Sequence, residues 1–214
     1  MTMDLFDDLA PACEALTEGA VLLRRHALAT APLLLESLQT IFARAPLRHM
    51  VTPGGFEMSV ATSNCGTLGW VSDARGYRYS VADPLSGQSW PAMPPAFSAL
   101  ANDAAARAGF EDFVPDACLI NRYEPGAKLS LHQDRDEHDF AHPIVSVSLG
   151  LPAVFLFGGA RRSDKPLRVP LAHGDVVVWG GPARLNYHGV LAVKPGVHEA
   201  TGEARINLTF RRAG

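Results

Sequence analysis

The chain has 214 residues, of which 47% are hydrophobic and 19% charged, and its formal net charge is −3. This length and hydrophobic content suit one compact domain with its own core and exclude an intrinsically disordered chain. Proteins that coat long stretches of nucleic acid are usually strongly basic, so any contact with DNA or RNA is expected to use a small local patch.

The N-terminal segment, MTMDLFDDLAPACEAL, is acidic and lacks the basic-then-apolar pattern of a signal peptide. No stretch reaches the roughly 18 apolar residues of a membrane span, so a cytoplasmic protein is predicted. The three cysteines, Cys13, Cys65 and Cys118, are odd in number and include no CxxC pair. That pattern argues against a disulfide framework and a thiolate zinc site, and each is predicted to be a buried or half-buried thiol.

Two helices are predicted before residue 110. After Pro32, apolar residues recur at helical spacing: Leu34, Leu35, Leu38, Ile41 and Phe42. Thr30 is a suitable N-cap, and Pro32 suits the first turn. Residues 96–109 have the composition of a second helix, closed by Gly109. Residues 46–95, between the helices, are rich in Gly, Pro, Ser and aromatics, which predicts short strands and recognition loops.

The C-terminal half is predicted to be a series of short strands. The segments with strand composition are ACLINRY, PIVSVSLG, AVFLFG, DVVVWGG and ARINLTFR, and Gly or Pro separates most of them. Strands at short intervals without intervening helices are typical of an antiparallel sandwich or jelly roll. The sequence therefore predicts an α+β protein with a mainly β core, in which the preceding helices buttress one sheet.

A candidate metal site follows from three residues. His132 and Asp134 lie at i and i+2, so on an extended segment they point to the same side. With His188 they form a facial triad of two imidazoles and one carboxylate, which favours non-haem Fe(II) with open positions for a co-substrate and oxygen. The alternatives are a solvated turn, since His138 and His142 lie nearby in a charged segment, and a zinc hydrolase.

The segment RINLTFR alternates in a way that suits a small dicarboxylic acid. Arg205 and Arg211 face away from the apolar residues Ile206, Leu208 and Phe210. A dicarboxylic co-substrate needs a fixed cation, and arginine supplies a bidentate fork. Asn121 and Tyr123 share a face of another strand and can donate to the same ligand. The alternative is an ordinary half-exposed strand.

Several long strings together resemble the AlkB family of Fe(II)- and 2-oxoglutarate-dependent nucleic-acid dealkylases. They are MVTPGGFEMSVATSNCG, GYRYS, WPAMP, PDACLINRYEPGAKLSLHQDRDE, SVSLGLPAVF, HGDVVVWGG, NYHG and RINLTFR. They follow the family order over nearly the whole chain. The resemblance implies one dioxygenase domain over residues 1–214, with a nucleotide-recognition lid at about 46–95 and a double-stranded β-helix, or jelly-roll, catalytic core at about 116–214.

The resemblance also implies roles for individual residues. The iron ligands and catalytic residues are His132, Asp134 and His188. The 2-oxoglutarate residues are Asn121, Tyr123, Arg205, Asn207 and Arg211. Arg205 is expected to pair with the distal carboxylate, and Arg211 to lie closer to the metal end. The substrate-binding residues are Thr52, Trp70, Tyr77, Arg78, Tyr79, Asp136 and Arg162.

Within the substrate set, the resemblance implies that Trp70 stacks on the target base, opposite the ring of His132. Tyr77, Arg78 and Tyr79 would contact the nucleotide backbone, with Thr52 as a further phosphate contact, while Asp136 and Arg162 would line the base pocket. Composition alone favours Trp70 as a core or lid aromatic, and the resemblance reverses that preference. The basic run from Arg161 to Arg168 is either a solvated turn or a local rim for nucleic acid.

The implied activity is oxidative demethylation of 1-methyladenine- and 3-methylcytosine-type bases in DNA and in RNA. Its co-substrates are 2-oxoglutarate and O2, its metal is Fe(II), and an aldehyde is released. The expected partner is alkylated single-stranded DNA, with duplex DNA or RNA also possible, and the protein is expected to be a monomer without membrane or obligate protein partner. The alternatives are a relative acting on proteins, lipids or intact RNA modifications, and a jelly-roll module that binds metal or acid without turnover. Asn186 and Arg135 depart from the family pattern, which puts the lesion preference in doubt.

Overall fold

The computed structural model describes residues 12–214, which form two helices and fourteen strands. Helix α1 spans Ala31–Arg44 and helix α2 spans Pro95–Arg107. The strands before α2 are β1 (Cys13–Thr17), β2 (Ala20–Leu23), β3 (Arg48–Val51), β4 (Glu57–Gly66), β5 (Gly69–Asp73) and β6 (Gly76–Ser80). The strands after α2 are β7 (Ala117–Tyr123), β8 (Leu129–His132), β9 (Ile144–Gly150), β10 (Ala153–Phe157), β11 (Leu167–Leu171), β12 (Val176–Trp179), β13 (His188–Val190) and β14 (Arg205–Arg211). Most of the acidic N-terminal segment MTMDLFDDLAPACEAL, which lacks a signal-peptide pattern, precedes Ala12 and lies outside the described residues.

Both predicted helices are confirmed. Thr30 is the N-cap residue of α1, although its hydroxyl donates to the carbonyl of Ala27 and does not cap the helix. Gly109 follows α2 with a positive φ of 85°, which suits the residue that closes a helix. Among the described residues, no helix is long and apolar enough to cross a membrane.

The strands form two larger antiparallel sheets and a hairpin. The eight-stranded sheet has the order β1-β2-β12-β9-β14-β7-β4-β3, and the four-stranded sheet has the order β11-β10-β13-β8. Strands β5 and β6 pair with each other as a separate hairpin. This arrangement is the mainly β, jelly-roll architecture that the sequence predicts.

The fold has three layers: the helices, the eight-stranded sheet and the four-stranded sheet. The helices pack on one face of the eight-stranded sheet, where Val147, Leu208 and Phe210 are fully buried against them. The other face of that sheet meets the four-stranded sheet, and Phe157 and Trp179 are buried between the two. Side chains alternate along a strand. The sequence neighbours of these helix-facing residues therefore point into the space between the two sheets.

All five C-terminal strands predicted from composition are confirmed, but β8, β11 and β13 were not predicted. They are short, and β11 contains Pro170, so their composition carries little strand signal. Strands β3 and β4 belong to the eight-stranded sheet, so part of segment 46–95 lies in the scaffold. The prediction that every cysteine is at least half-buried is wrong for Cys13, which is exposed on the edge strand β1.

An ion pair joins β3 to the segment that follows β6. The guanidinium of Arg48 donates to both carboxylate oxygens of Asp83, at 2.9 and 2.5 Å, and holds the pKa of Asp83 at about 2, below its ordinary value of 3.8. Because the folded pKa is depressed, the pair stabilises the protein fully above pH 3.8, and this contribution is lost as the pH falls towards about 2.

Asp83→Asn is therefore expected to lower the free energy of unfolding by about 2 kcal/mol at neutral pH. Urea denaturation at a series of pH values measures this, and the difference from wild type should shrink below about pH 4. Asp73→Asn is the control, because the Asp73 side chain, which pairs with Arg75 and Arg78, is 35% exposed against 9% for Asp83, and more exposed ion pairs contribute less. Equal losses in the two variants would contradict the assignment.

Candidate metal and co-substrate site

A cavity of about 610 Å³ lies between the two sheets and extends to the β5–β6 hairpin. Nearly all of the site residues predicted from the sequence line it. They are Thr52, Trp70, Tyr77, Tyr79, Asn121, Tyr123, His132, Asp134, Asp136, Arg162, His188, Arg205, Asn207 and Arg211. Arg78 is the one predicted site residue that does not line it.

The candidate metal ligands come together at one end of the cavity. Strands β8 and β13 pair so that His132 and His188 are opposite each other, and Asp134 follows β8 by two residues. The ligand atoms of the three side chains lie within 4.8 Å of one another. Nε2 of His132 is 3.6 Å and Nε2 of His188 is 3.7 Å from the Asp134 carboxylate.

The ring orientation of both histidines suits a metal. Nδ1 of His132 lies 2.9 Å from the carbonyl of Ser130, and Nδ1 of His188 lies 3.0 Å from the carbonyl of Asn186. A carbonyl oxygen only accepts, so each Nδ1 is the donor and each Nε2 is left with a lone pair towards Asp134. Backbone acceptors of this kind fix the tautomer of metal-binding histidines.

Electrostatics keep the carboxylate ionised. Burial opposes ionisation of Asp134, but the positive charge of the nearby Arg211 outweighs it and holds the pKa of Asp134 well below its usual range. Arg211 donates through Nε and Nη2 to Asp134 Oδ2, at 3.0 and 2.5 Å. Burial and the neighbouring His132 lower the pKa of His188, which favours the neutral imidazole that a metal needs. Two imidazoles and one anionic oxygen fit a divalent iron centre with open positions.

The surroundings of Arg205 suit a dicarboxylic co-substrate. Its side chain is 1% exposed, and only Nη2 is hydrogen-bonded, to the hydroxyl of Ser148 at 2.9 Å. Nε and Nη1 are buried without a hydrogen-bond partner, and the Tyr123 ring lies 4.9 Å from the guanidinium carbon. Burial lowers the pKa of Arg205, and no carboxylate of residues 12–214 is described in an ion pair with it. An unpaired buried cation facing a cavity is a site for an anion.

The neighbouring amides are held in position by the pairing of β7 with β14. This register places Tyr123 opposite Arg205 and Asn121 opposite Asn207. Nδ2 of Asn207 donates to the hydroxyl of Ser146 and to the carbonyl of Val147, while its oxygen accepts from Thr209. The predicted alternation of RINLTFR is confirmed, and its polar side chains line the cavity.

The hairpin supplies the aromatic end of the cavity. The ring of Trp70 stacks on Tyr77 with 5.6 Å between centroids and 12° between planes. Its Nε1 donates to Asp136 at 2.8 Å. The hydroxyl of Tyr79 donates to Glu137 at 2.9 Å, so this phenol is engaged inside the protein. Arg78 alternates with these residues on β6 and donates to both oxygens of Asp73 instead.

Two functional candidates were not predicted from the sequence. Glu137 is buried and lies between Tyr79 and Arg211, whose Nε is 3.2 Å away. Arg184 is 3% exposed and lies 3.1 Å from Glu137 on the other side. Glu137 is adjacent in sequence to the predicted Asp136, so the same acidic segment could have indicated it. Nothing in the sequence around Arg184 indicates its partners.

Comparisons with known proteins agree with this geometry. The family model of the 2OG-Fe(II) oxygenase superfamily matches residues 19–211. The chain is 58% identical to "Alpha-ketoglutarate-dependent dioxygenase AlkB" of Salmonella typhimurium strain LT2, over 99% of this chain and 98% of that protein. It is 35% identical to human "Nucleic acid dioxygenase ALKBH1" over 60% of this chain and 33% of that protein. The solved structure of OsALKBH1 superposes with a TM-score of 0.83 at 30% identity and covers 94% of this chain and 99% of its own.

Proposed function

The chain belongs to the AlkB family within the 2OG-Fe(II) oxygenase superfamily, and from this premise we propose that it removes alkyl groups oxidatively from bases such as 1-methyladenine and 3-methylcytosine. It is an Fe(II)- and 2-oxoglutarate-dependent dioxygenase that uses O2 and dealkylates nucleic acid. The observation that carries the proposal is the cavity, because it brings the histidine–aspartate cluster, the unpaired Arg205 and the Trp70 hairpin together.

In the proposed mechanism, Fe(II) is held by His132, Asp134 and His188. When bound, the iron supplies the activation of O2 that couples decarboxylation of 2-oxoglutarate to hydroxylation of the alkyl carbon. Arg211 keeps Asp134 anionic and oriented, because it donates two hydrogen bonds to the same carboxylate oxygen. The hydroxylated alkyl group then leaves as an aldehyde and the base is restored.

Arg205 marks the end of the cavity that would bind 2-oxoglutarate. Arg205 offers two free N–H groups to the distal carboxylate, and Ser148 fixes the third nitrogen. Asn121, Tyr123 and Asn207 line the path from Arg205 to the metal ligands and fit the rest of the molecule. A zinc hydrolase with the same ligands would have no use for this buried arginine.

The substrate end of the cavity fits a base that has been taken out of its stack. Trp70 offers an aromatic face beside Asp136, and this half-buried carboxylate suits a cationic alkylated base. Thr52, Tyr77 and Arg162 line the outer part of the cavity, where phosphates and flanking nucleotides would lie. Arg78 and Tyr79 have partners within the protein, and their contact with the nucleotide backbone stays a prediction.

We propose that the enzyme acts as a monomer, on single-stranded DNA and also on duplex DNA or RNA. The low net charge supports a small footprint. Residues 12–214 form one continuous β core with its helices, which supports a single domain with a jelly-roll catalytic part at about 116–214. In the segment 46–95, the β5–β6 hairpin is the part that is free of the main sheet and suits a lid.

Incubation of Fe(II)-loaded protein with 2-oxoglutarate, oxygen and a single-stranded oligonucleotide containing 1-methyladenine tests the proposal. We expect loss of one methyl group by mass spectrometry, dependent on both iron and 2-oxoglutarate. Succinate formation without demethylation would retain the dioxygenase and reject this substrate class. Absence of both in iron-loaded protein would reject the proposed function.

Trp70→Ala is expected to raise the KM for the oligonucleotide by roughly 5- to 150-fold, because stacking on an aromatic side chain contributes about 1–3 kcal/mol per base. The KM for 2-oxoglutarate should not change, since Arg205 lies in the other part of the cavity. Steady-state kinetics in both substrates measures the two values. Trp70→Phe is the matched control, because it keeps a ring while losing the bond to Asp136, and it should lose less. An unchanged KM for the oligonucleotide in Trp70→Ala would show that the base does not stack there.

A further inference from the structure

We infer that Arg184 is a positioning residue that holds the ligand-bearing segment 133–143 in register with the metal site. The inference rests on the proposed function and deepens it, because it concerns how the metal site is kept in shape. Segment 133–143 connects β8 to β9 and carries Asp134, Asp136 and Glu137. It contains neither helix nor strand, so its own backbone hydrogen bonds do not fix it.

One guanidinium spans this segment from its beginning to its end. Nη1 of Arg184 donates to the carbonyl of Asp134 at 2.9 Å, and Nε donates to the carbonyl of His142 at 3.0 Å. Nη2 lies 3.1 Å from the carboxylate of Glu137, which is midway between them. The Phe140 ring lies 5.3 Å from the guanidinium carbon. The planar fork of arginine allows one side chain to donate to two carbonyls and to form an ion pair with a carboxylate as well, and lysine cannot do so.

Arg184 acts through other residues and does not touch the reacting groups. It is absent from the residues that line the cavity. Arg184 binds the backbone carbonyl of Asp134, whereas Arg211 binds its carboxylate. Two arginines therefore fix this residue, one at the backbone and one at the side chain. Arg184 also pairs with Glu137, which accepts from Tyr79 of the hairpin.

The position of Arg184 in the chain also matters. It follows the short helical turn Gly181–Ala183 and precedes His188 by four residues. Nearby, the side-chain amide of Gln133 donates to the carbonyl of Leu185 at 2.6 Å. These contacts bind the segment that carries Asp134 to the segment that leads into His188. The spacing between two candidate ligands therefore depends on Arg184.

The test compares Arg184→Met and Arg184→Lys with wild type in two measurements. The first is anaerobic titration of the metal-free protein with Co(II), followed by absorption spectroscopy. The second is the ratio of succinate formed to methyl groups removed under turnover. A loss of folded protein would lower both products together and leave this ratio unchanged, whereas a misplaced metal site raises it.

We expect Arg184→Met to weaken Co(II) affinity roughly 10- to 100-fold, the usual cost of losing an outer partner of a metal ligand, and to raise the succinate-to-demethylation ratio. Arg184→Lys keeps the cation beside Glu137 and should fold, with an intermediate defect in both readouts. Arg24→Met is the matched control, because Arg24 also joins three groups, the carboxylates of Glu14 and Asp175 and the carbonyl of Pro170, away from the cavity. It should leave affinity and ratio unchanged.

Wild-type affinity and ratio in Arg184→Lys, with the same values in any folded Arg184→Met, would overturn the inference. If Arg184→Met does not fold, Arg184→Lys alone decides, since a defect supports the inference and wild-type values overturn it. A wild-type protein that binds no metal and forms no succinate would instead overturn the proposed function, so the two failures are distinguishable.

Discussion

His132→Ala is expected to abolish succinate formation and demethylation together while the protein keeps its fold. The His132 side chain is 35% exposed, so its removal leaves little buried volume unfilled. Removal of a direct ligand should weaken metal binding by more than the roughly 10- to 100-fold that loss of an outer partner costs. Iron content, succinate yield and thermal unfolding measure the three parts of the prediction.

His138→Ala is the matched control for this prediction. His138 follows the end of β8 on segment 133–143 and is exposed, and it is not part of the histidine–aspartate cluster. We expect normal iron content and activity in this variant. Iron-dependent activity that survives His132→Ala but not His138→Ala would show that the ligand assignment is wrong.

Arg205→Met is expected to raise the KM for 2-oxoglutarate by on the order of 30- to 5,000-fold. Truncating one partner of a buried charge pair costs about 2–5 kcal/mol, and the proposed site of the distal carboxylate would lose the buried cation of Arg205. Succinate formation over a range of 2-oxoglutarate concentrations measures the change. Arg122→Ala is the control, because Arg122 lies on the same pair of strands but forms an exposed ion pair with Glu124.

The same variant is expected to be at least as stable as wild type without 2-oxoglutarate. Two nitrogens of Arg205 are buried without a partner, so the native protein carries the cost of an uncompensated charge. Thermal unfolding should show that 2-oxoglutarate stabilises wild type and not Arg205→Met. A variant that is much less stable than wild type would mean that Arg205 is paired in the protein.

The extent to which the sequence predicted this protein differs between its regions. Strands β7, β9 and β14 were predictable because they are apolar on the helix side and long enough to show it. Strand β13 has three residues and becomes a strand because it pairs with β10 and β8, while the half-exposed β8 becomes one because it pairs with β13. The buried strand β4 looked like part of a loop segment because glycine and polar residues surround it.

The sequence by itself indicated the candidate metal ligands and anion-binding residues: a His-x-Asp pair with a distant histidine, and two arginines on one face of a strand. These depend on spacings of two residues, which an extended backbone converts directly into a shared direction. The family resemblance implied that Arg211 lies closer to the metal end than Arg205, and the tertiary structure gives the contacts. Arg211 donates to Asp134, whereas Arg205, at the other end of β14, has two nitrogens without a partner. Only the tertiary structure decided the roles of Glu137 and Arg184, since their contacts join parts of the chain that are distant in sequence and carry no local pattern.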